Sequence, residues 1–214
     1  MGVDVSTDAA PLSTPLLRLD QVVLSKAPWI IERVRRKSEP PPQAAREFVS
    51  GETFRYLGRQ YRLRVERCAE GPGEVGLRRG LLVVPTSIHA SLSEKAAVEQ
   101  VREALIGWYK MHAAERLPER ARLWASRLGI DAPRVLIREP RKRWGSCDAK
   151  GTLRLNWRVI QAPLRLVDYV VAHELCHLEH PDHTRSFWAT IGRVMPDYDV
   201  RREALRELGG ALAW

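Results

Sequence analysis

The chain has 214 residues, 44% of them hydrophobic, which suits one ordinary domain with a real core. It contains no stretch near the roughly 18 to 20 uninterrupted apolar residues of a membrane span, and Met1 to Pro15 has no basic run followed by an apolar one, so no secretory leader is expected. The three cysteines, Cys68, Cys147 and Cys176, are odd in number and far apart, which argues against a disulfide framework and for a reducing, cytoplasmic setting. The net charge is +9, and six lysines leave 29 arginines among the 35 basic residues. Such a surplus is compatible with a nucleotide or nucleic-acid partner, although it is spread along the chain as a solvated surface would be. The densest runs are Arg33 to Lys37 and Arg138 to Arg143.

Residues 1 to 15 read as irregular or a short leading strand. Leu19 to Arg36 reads as a helix, with Pro28 as a kink or break, and the basic run at its end favours the helix dipole. Ser38 to Pro42, with three consecutive prolines, is a turn. Short strands follow at Thr53 to Leu57, Gln60 to Cys68, Glu74 to Leu77 and Gly80 to Val84, with hairpin turns at Gly58-Arg59 and near Gly80. Tyr61, Leu63 and Val65 alternate with Arg62, Arg64 and Glu66, so one face is buried. Ser91 to Ala114 reads as a helix, with Ser91 and Glu94 as a capping box and an apolar stripe of Ala97, Val101, Leu105, Trp108 and Met111 or His112. Pro118 starts a second helical piece that ends near Gly129. Arg134 to Arg138 and Thr152 to Trp157 read as strands flanking a loop, and the rest is helical, interrupted at Pro181 and Pro196.

Four of the six histidines lie between residues 173 and 183, in His173-Glu174-Leu175-Cys176-His177-Leu178-Glu179-His180-Pro181-Asp182-His183. His173 and His177, four apart on a helix, share one face and can share one metal ion. Glu174, next to the first histidine, is placed to take a proton from a zinc-bound water. Three protein ligands and one open position form the catalytic rather than the structural zinc pattern. Leu166 and Val170 lie on the histidine face, while Val167, Val171, Leu175 and Leu178 cover the other side. A helix apolar on both sides is buried, and a buried His-Glu-His set without a purpose is costly. Pro163 marks the helix start. For the third ligand, His180 continues the helical face, but at seven residues from His173 it is about 10.5 Å away in rise. His183 follows the Pro181 break, can approach from another direction, and is favoured.

From Arg143 onward the chain resembles the YgjP-like metallopeptidase family, related to SprT-like and minigluzincin-type zinc proteins. The resemblance rests on Arg143-Trp144-Gly145-Ser146-Cys147, Leu155-Asn156-Trp157, Asp168-Tyr169-Val170-Val171, the His173 to Leu178 motif, His183 with Phe187-Trp188, and Met195-Pro196-Asp197-Tyr198. Weaker similarity covers Gly51 to Leu63 and the Trp108-Tyr109 helix, and Val3 to Val5 reads as the remnant of an N-terminal strand. The resemblance implies zinc on His173, His177 and His183, with Glu174 catalytic. In the Arg143 to Cys147 loop, Arg143 can stabilise an oxyanion or bind an anionic substrate, Trp144 can pack, and Gly145 can permit a tight turn. Asn156 and Asp168 are candidates for orienting the ligands. Cys147 and Cys176 read as small buried residues, with no general base beside either to support a thiol mechanism.

The expected fold is α+β: a small, mostly antiparallel sheet packed against a long helix and a buried zincin-type active-site helix. The expected organisation is an N-terminal segment 1–42, a β-rich region 43–90 and a helical, zincin-like catalytic region 91–214, forming one compact domain. The expected function is a zinc-dependent metallopeptidase acting on a peptide or protein. The alternatives are a metal-dependent hydrolase of a nucleotide phosphoanhydride and a nucleic-acid-associated protein with an accessory zinc site.

Overall fold

The computed structural model describes residues 24–27, 46–68, 73–87, 93–148, 150–212 and 214. The chain divides into two compact units, Gly2–Ala45 and Arg46–Trp214. In the former, residues 24–27 form a helical turn. The rest of the expected Leu19 to Arg36 helix, the Ser38 to Pro42 turn and the Val3 to Val5 strand lie outside the described residues. No helix among the described residues is long and apolar enough to cross a membrane.

The Arg46–Trp214 unit opens with β1 (Thr53–Tyr56), β2 (Arg59–Cys68), β3 (Gly76–Arg78) and β4 (Leu81–Ser87). The β1–β2 and β3–β4 hairpins each turn through two residues of positive φ, Leu57 (48°) with Gly58 (81°) and Arg79 (51°) with Gly80 (79°). That is the sign pattern of the tight turn that matches strand twist. The first turn thus lies one residue earlier than the expected Gly58-Arg59, because Arg59 already pairs with Tyr56. Leu57 tolerates its unusual φ because its N–H donates to the Ile160 carbonyl at 2.8 Å.

Two mixed sheets replace the expected mostly antiparallel one. The first has the order β1-β2-β4-β3, with β2 and β4 parallel. Leu81 to Val84 is a continuous apolar run, as suits an inner strand covered on both faces. It inserts beside β2 and leaves β3 on the edge. On β2, Leu63 is buried while Arg62 and Arg64 are exposed, as the alternation requires. The second sheet has the order β5-β7-β6, built from β5 (Val135–Arg138), β6 (Gly145–Cys147) and β7 (Leu153–Asn156), with β5 parallel and β6 antiparallel to β7. The expected Arg143 to Cys147 loop therefore contains a short edge strand. Trp157, expected at the end of a strand, instead opens a 3-10 turn over Trp157–Gln161, which the Asn156 side chain caps by accepting from Arg158 N–H.

Between the sheets in sequence, α1 runs unbroken from Glu94 to Leu128. Its N-cap is Ser93, which accepts from the Ala96 N–H, rather than Ser91. Pro118 sits inside the helix and does not start a second one. The carbonyl it leaves without a helical partner, that of Ala114, is on an exposed residue, while Leu117 and Ala121 on either side are buried and hold the turn in place. The buried stripe runs through Val101, Leu105, Trp108, Tyr109, Ala113, Leu117, Ala121 and Trp124, whereas Met111 and Ala97 are exposed. Gly129 ends the helix in the left-handed conformation at φ 78°.

The remaining helices are α2 (Leu164–Cys176), α3 (Arg185–Val194) and α4 (Tyr198–Leu208), followed by a 3-10 turn over Gly209–Leu212. Three ties position α2. The β1–β2 turn docks on its leading edge, where Gly58 N–H donates to the Gln161 carbonyl at 3.2 Å and a Cβ on Gly58 would lie 2.8 Å from Pro163 Cα. The Arg120 guanidinium on α1 grips both oxygens of Asp168 on α2, at 2.6 and 2.8 Å. The Tyr109 hydroxyl donates to the Arg55 carbonyl at 2.7 Å, joining α1 to β1. Under these ties, the buried α2 residues Val167, Val171 and Leu175 merge with Trp157, Ile160 and the α1 stripe in one core.

Candidate active site

Helical periodicity puts His173 and His177 one turn apart on α2, with ring centroids 5.1 Å apart. The helix ends sooner than Pro181 implies: its last residue is Cys176, and His177 is the C-cap, still in the right-handed region. The chain then turns through 178–180, and His183, just ahead of α3, returns to the other two. Its ring centroid lies 4.8 Å from that of His173 and 4.7 Å from that of His177. One nitrogen from each of the three rings lies within 4.8 Å of the others.

His180 does not join them. Its Nε2 pairs with the Thr190 hydroxyl at 3.0 Å. Its carbonyl accepts from His177 Nδ1–H at 3.0 Å, which leaves the lone pair of His177 on Nε2, facing the cluster. Phe187, one turn into α3, is fully buried, and its centroid lies 5.0, 4.8 and 4.7 Å from those of His173, His177 and His183. Trp188 stacks on His183 and Tyr198 on Trp188, extending the aromatic backing.

The polar capacity of these rings tests whether a metal ion suits the site. His173 Nδ1 is buried with no hydrogen-bond partner, and the ring's polar contact is His183 Nε2, 2.9 Å from its own Nε2. Burial first, then the neighbouring His177 and His183, hold its pKa down to about 3, so the ring is neutral. A neutral imidazole with a buried, unpartnered Nδ1, whose polar neighbour is a second imidazole nitrogen, is poorly satisfied by the protein alone. Three converging imidazole nitrogens are a donor set that a borderline-soft divalent cation accepts.

Glu174 is rotated about 100° from His173 on the helix and is buried at 8% exposure. It lies against β6. A Cβ on Gly145 would stand 2.6 Å from Glu174 Cγ and 2.7 Å from its Oε1. Gly145 has no positive φ. Its missing side chain therefore makes room for the carboxylate, where a tight turn is the role its sequence position suggests. Burial raises the pKa of Glu174 to about 7, against the opposing pull of the nearby Arg143 cation.

The other three expected residues divide. Arg143 lies exposed beside Glu174 with no hydrogen bond or ion pair from its guanidinium among the described residues. Asn156 orients no histidine. Its amide Nδ2 donates to the carbonyls of Pro140 (2.9 Å) and Arg143 (3.2 Å), pinning the loop that carries Arg143. Asp168 orients none either, since Arg120 takes both its oxygens. Its spacing of five from His173 turns it away from the histidine face. Cys176 is buried and Cys147 partly so, and burial pushes both thiols up, away from nucleophile character.

Sequence reasoning missed Phe187 as the backing of the site, Gly145 as the space for Glu174, and β6 as an edge strand. The four-residue step from His183 to Phe187 was a usable signal for the first of these, since it puts both on one side of the α3 start.

No curated protein matches this chain. Among solved structures, the metallopeptidase zymogen of Pyrococcus abyssi abylysin is similar over 44% of this chain and 95% of its own, at 24% identity and a TM-score of 0.40. The metallopeptidase zymogen of Methanocaldococcus jannaschii jannalysin is similar over 42% of this chain and 94% of its own, at 20% identity and a TM-score of 0.39. The family described as YgjP-like, metallopeptidase domain, matches residues 4–208, nearly the whole length and a range that includes the histidine cluster. The chain belongs to the YgjP-like metallopeptidase-domain family.

Proposed function

We propose that the protein is a zinc-dependent peptidase in which His173, His177 and His183 hold the metal and Glu174 moves the protons. The observation that carries this reading is the convergence of three imidazole nitrogens, within 4.8 Å of one another, next to the buried Glu174 carboxylate. Zinc, when bound, supplies a Lewis acid that polarises a carbonyl and acidifies water. Glu174 would accept a proton from the attacking water and return it to the leaving amine, the exchange for which a buried carboxylate next to the metal-binding histidine is placed. Phe187 excludes water behind the imidazoles, and the His180 carbonyl holds His177 in one tautomer.

The second sheet favours a peptide as the substrate. Asn156 N–H donates to the Trp144 carbonyl and Asp148 N–H to the Thr152 carbonyl. Hydrogen-bonding residues alternate along an antiparallel pair, so Trp144, Ser146 and Asp148 turn their main-chain groups to β7. Gly145 and Cys147 turn theirs to the other edge, which no strand occupies among the described residues. An extended peptide can add to such an edge, and Gly145 on that edge touches Glu174.

The phosphoanhydride alternative draws on Arg143, whose fork suits phosphate, but a nucleotide makes no use of a strand edge. The deciding experiment assays the zinc-loaded protein against peptides and nucleoside triphosphates side by side, with Glu174→Gln as the blank. The expected result is peptide hydrolysis that Glu174→Gln abolishes with zinc retained. Hydrolysis of triphosphates alone, or full activity in Glu174→Gln, refutes the reading.

A further inference from the structure

Of the basic run Arg138 to Arg143, only Arg143 enters the chemistry above, through its pull on Glu174, and the run leads directly into β6. It holds four cations and one anion, Glu139. That anion is already engaged, by Lys110 Nζ at 2.9 Å and Arg158 Nη2 at 2.9 Å. Arg141, Lys142 and Arg143 are exposed, and none has an ion-pair partner among the described residues. The buried Asn156 amide holds both ends of this short loop, through the carbonyls of Pro140 and Arg143. The loop's backbone is thereby fixed at the lip of the site, with its three cations directed to solvent.

The distance to the reacting groups follows from the chain itself. Arg143 precedes Gly145 by two residues, so their Cα atoms are at most about 7 Å apart, and Gly145 lies against Glu174. Arg141 is at most about 14 Å from the same point. At the opposite end of β6 the charge reverses, but there Asp148 is held by Arg154 Nη1 at 2.7 Å. The open edge therefore has three unpaired cations at one end, and at the other the Asp148–Arg154 pair with the single exposed Lys150.

We infer that Arg141, Lys142 and Arg143 form a subsite for acidic residues on one side of the scissile bond, so that the substrate is a peptide with an acidic flank. The inference rests on the peptidase reading. The three cations act by attraction to carboxylates of the bound chain, in a solvent-exposed setting where each pair contributes modestly and salt screens it.

The test uses short labelled peptides, identical except for a flanking Asp-Asp, Ser-Ser or Lys-Lys pair placed on either side of the scissile bond. Binding to the zinc-loaded Glu174→Gln protein is read by fluorescence anisotropy, and cleavage by the unaltered protein is read in parallel. The Asp-Asp peptide is expected to bind roughly tenfold tighter than the Lys-Lys peptide at low ionic strength, in one placement only, with the gap closing at high salt. Arg141→Glu with Lys142→Glu, both exposed positions, should invert the preference with zinc content unchanged. Equal binding of the three peptides, or a preference that survives the charge reversal, overturns the inference. Cleavage of all three at equal rates does so too, and leaves the peptidase reading intact. Failure to bind or cleave any peptide, with nucleoside triphosphates hydrolysed instead, removes the peptidase reading and the subsite with it.

Discussion

Replacing Gly145 by alanine adds one methyl group where the structure has no space for it. The new Cβ would stand 2.6 Å from Glu174 Cγ, 2.7 Å from Oε1 and 2.8 Å from Cδ. Carbon atoms rest at about 3.5 to 4.0 Å, so carboxylate and strand must separate by about 1 Å. Glu174 has little room to retreat, because Val171 and Leu175 on its own helix are fully buried. The three-residue edge strand β6 must yield with it. A misplacement of about 1 Å in a proton-transfer group costs on the order of 100-fold in turnover. Overpacking costs about 1 to 3 kcal/mol, which for a chain of this size lowers Tm by about 2 to 12 °C. The nearest atoms to the new methyl all belong to Glu174 and none to an imidazole, so zinc stoichiometry should stay at that of the unaltered protein. Turnover of a cleaved peptide, Tm by calorimetry and zinc by elemental analysis read the three effects separately. Turnover within about twofold of the unaltered protein, at an unchanged Tm, refutes the argument that Gly145 exists to make room for Glu174.

His183→Ala should weaken zinc binding strongly in chelator competition, while His180→Ala, which removes only the Thr190 contact, should leave stoichiometric zinc; the reverse result would refute the ligand assignment. Phe187→Ala opens a cavity beside all three rings and should cost about 3 to 5 kcal/mol in denaturant unfolding, with zinc bound more weakly because the imidazoles lose their backing. Asp168→Ala leaves the Arg120 guanidinium without its partner and should cost about 2 to 3 kcal/mol of stability. It should spare zinc affinity, and loss of zinc in that variant would mean that Asp168 orients a histidine after all.

What was legible in this sequence was what a single element dictates. The spacing of His173, Glu174 and His177 needs only helical geometry, and the apolar residues around them announce burial before any fold is known. The Pro181 break correctly suggested a chain that turns back, but the helix had already ended at Cys176. His180 is therefore off the helix altogether, and it is engaged by Thr190 and not held out of reach along the helix axis. The hairpin turns were legible from glycines, yet strand neighbours were not. Periodicity reports which face of a strand is buried and says nothing about which strand lies beside it, so the parallel β2–β4 and β5–β7 pairings had no local signal. Pro118 was misread as a helix start because the penalty of an internal proline is offset here by Leu117 and Ala121 packing into the core.

Gly145, Asp168 and Asn156, whose roles differ from those their local sequence suggests, share one property: each acts on a partner that the local sequence does not point to. Gly145 serves Glu174, Asp168 serves Arg120, and Asn156 serves the carbonyls of Pro140 and Arg143. A glycine in a loop has many local explanations, and only the through-space neighbour selects among them. The same holds for the Arg143 to Cys147 segment as a whole. Read alone, it is a basic loop with a tryptophan and a turn. Set against α2, its glycine makes room for the Glu174 carboxylate, its arginine adds an unpaired cation beside that carboxylate, and its strand edge runs past Gly145. In the proposed reading, β6 and α2 each carry only part of the site. The contact between Gly145 and Glu174 joins the strand edge proposed to take the substrate to the helix proposed to hold the metal, so a change at that contact should alter catalysis well before it alters metal binding.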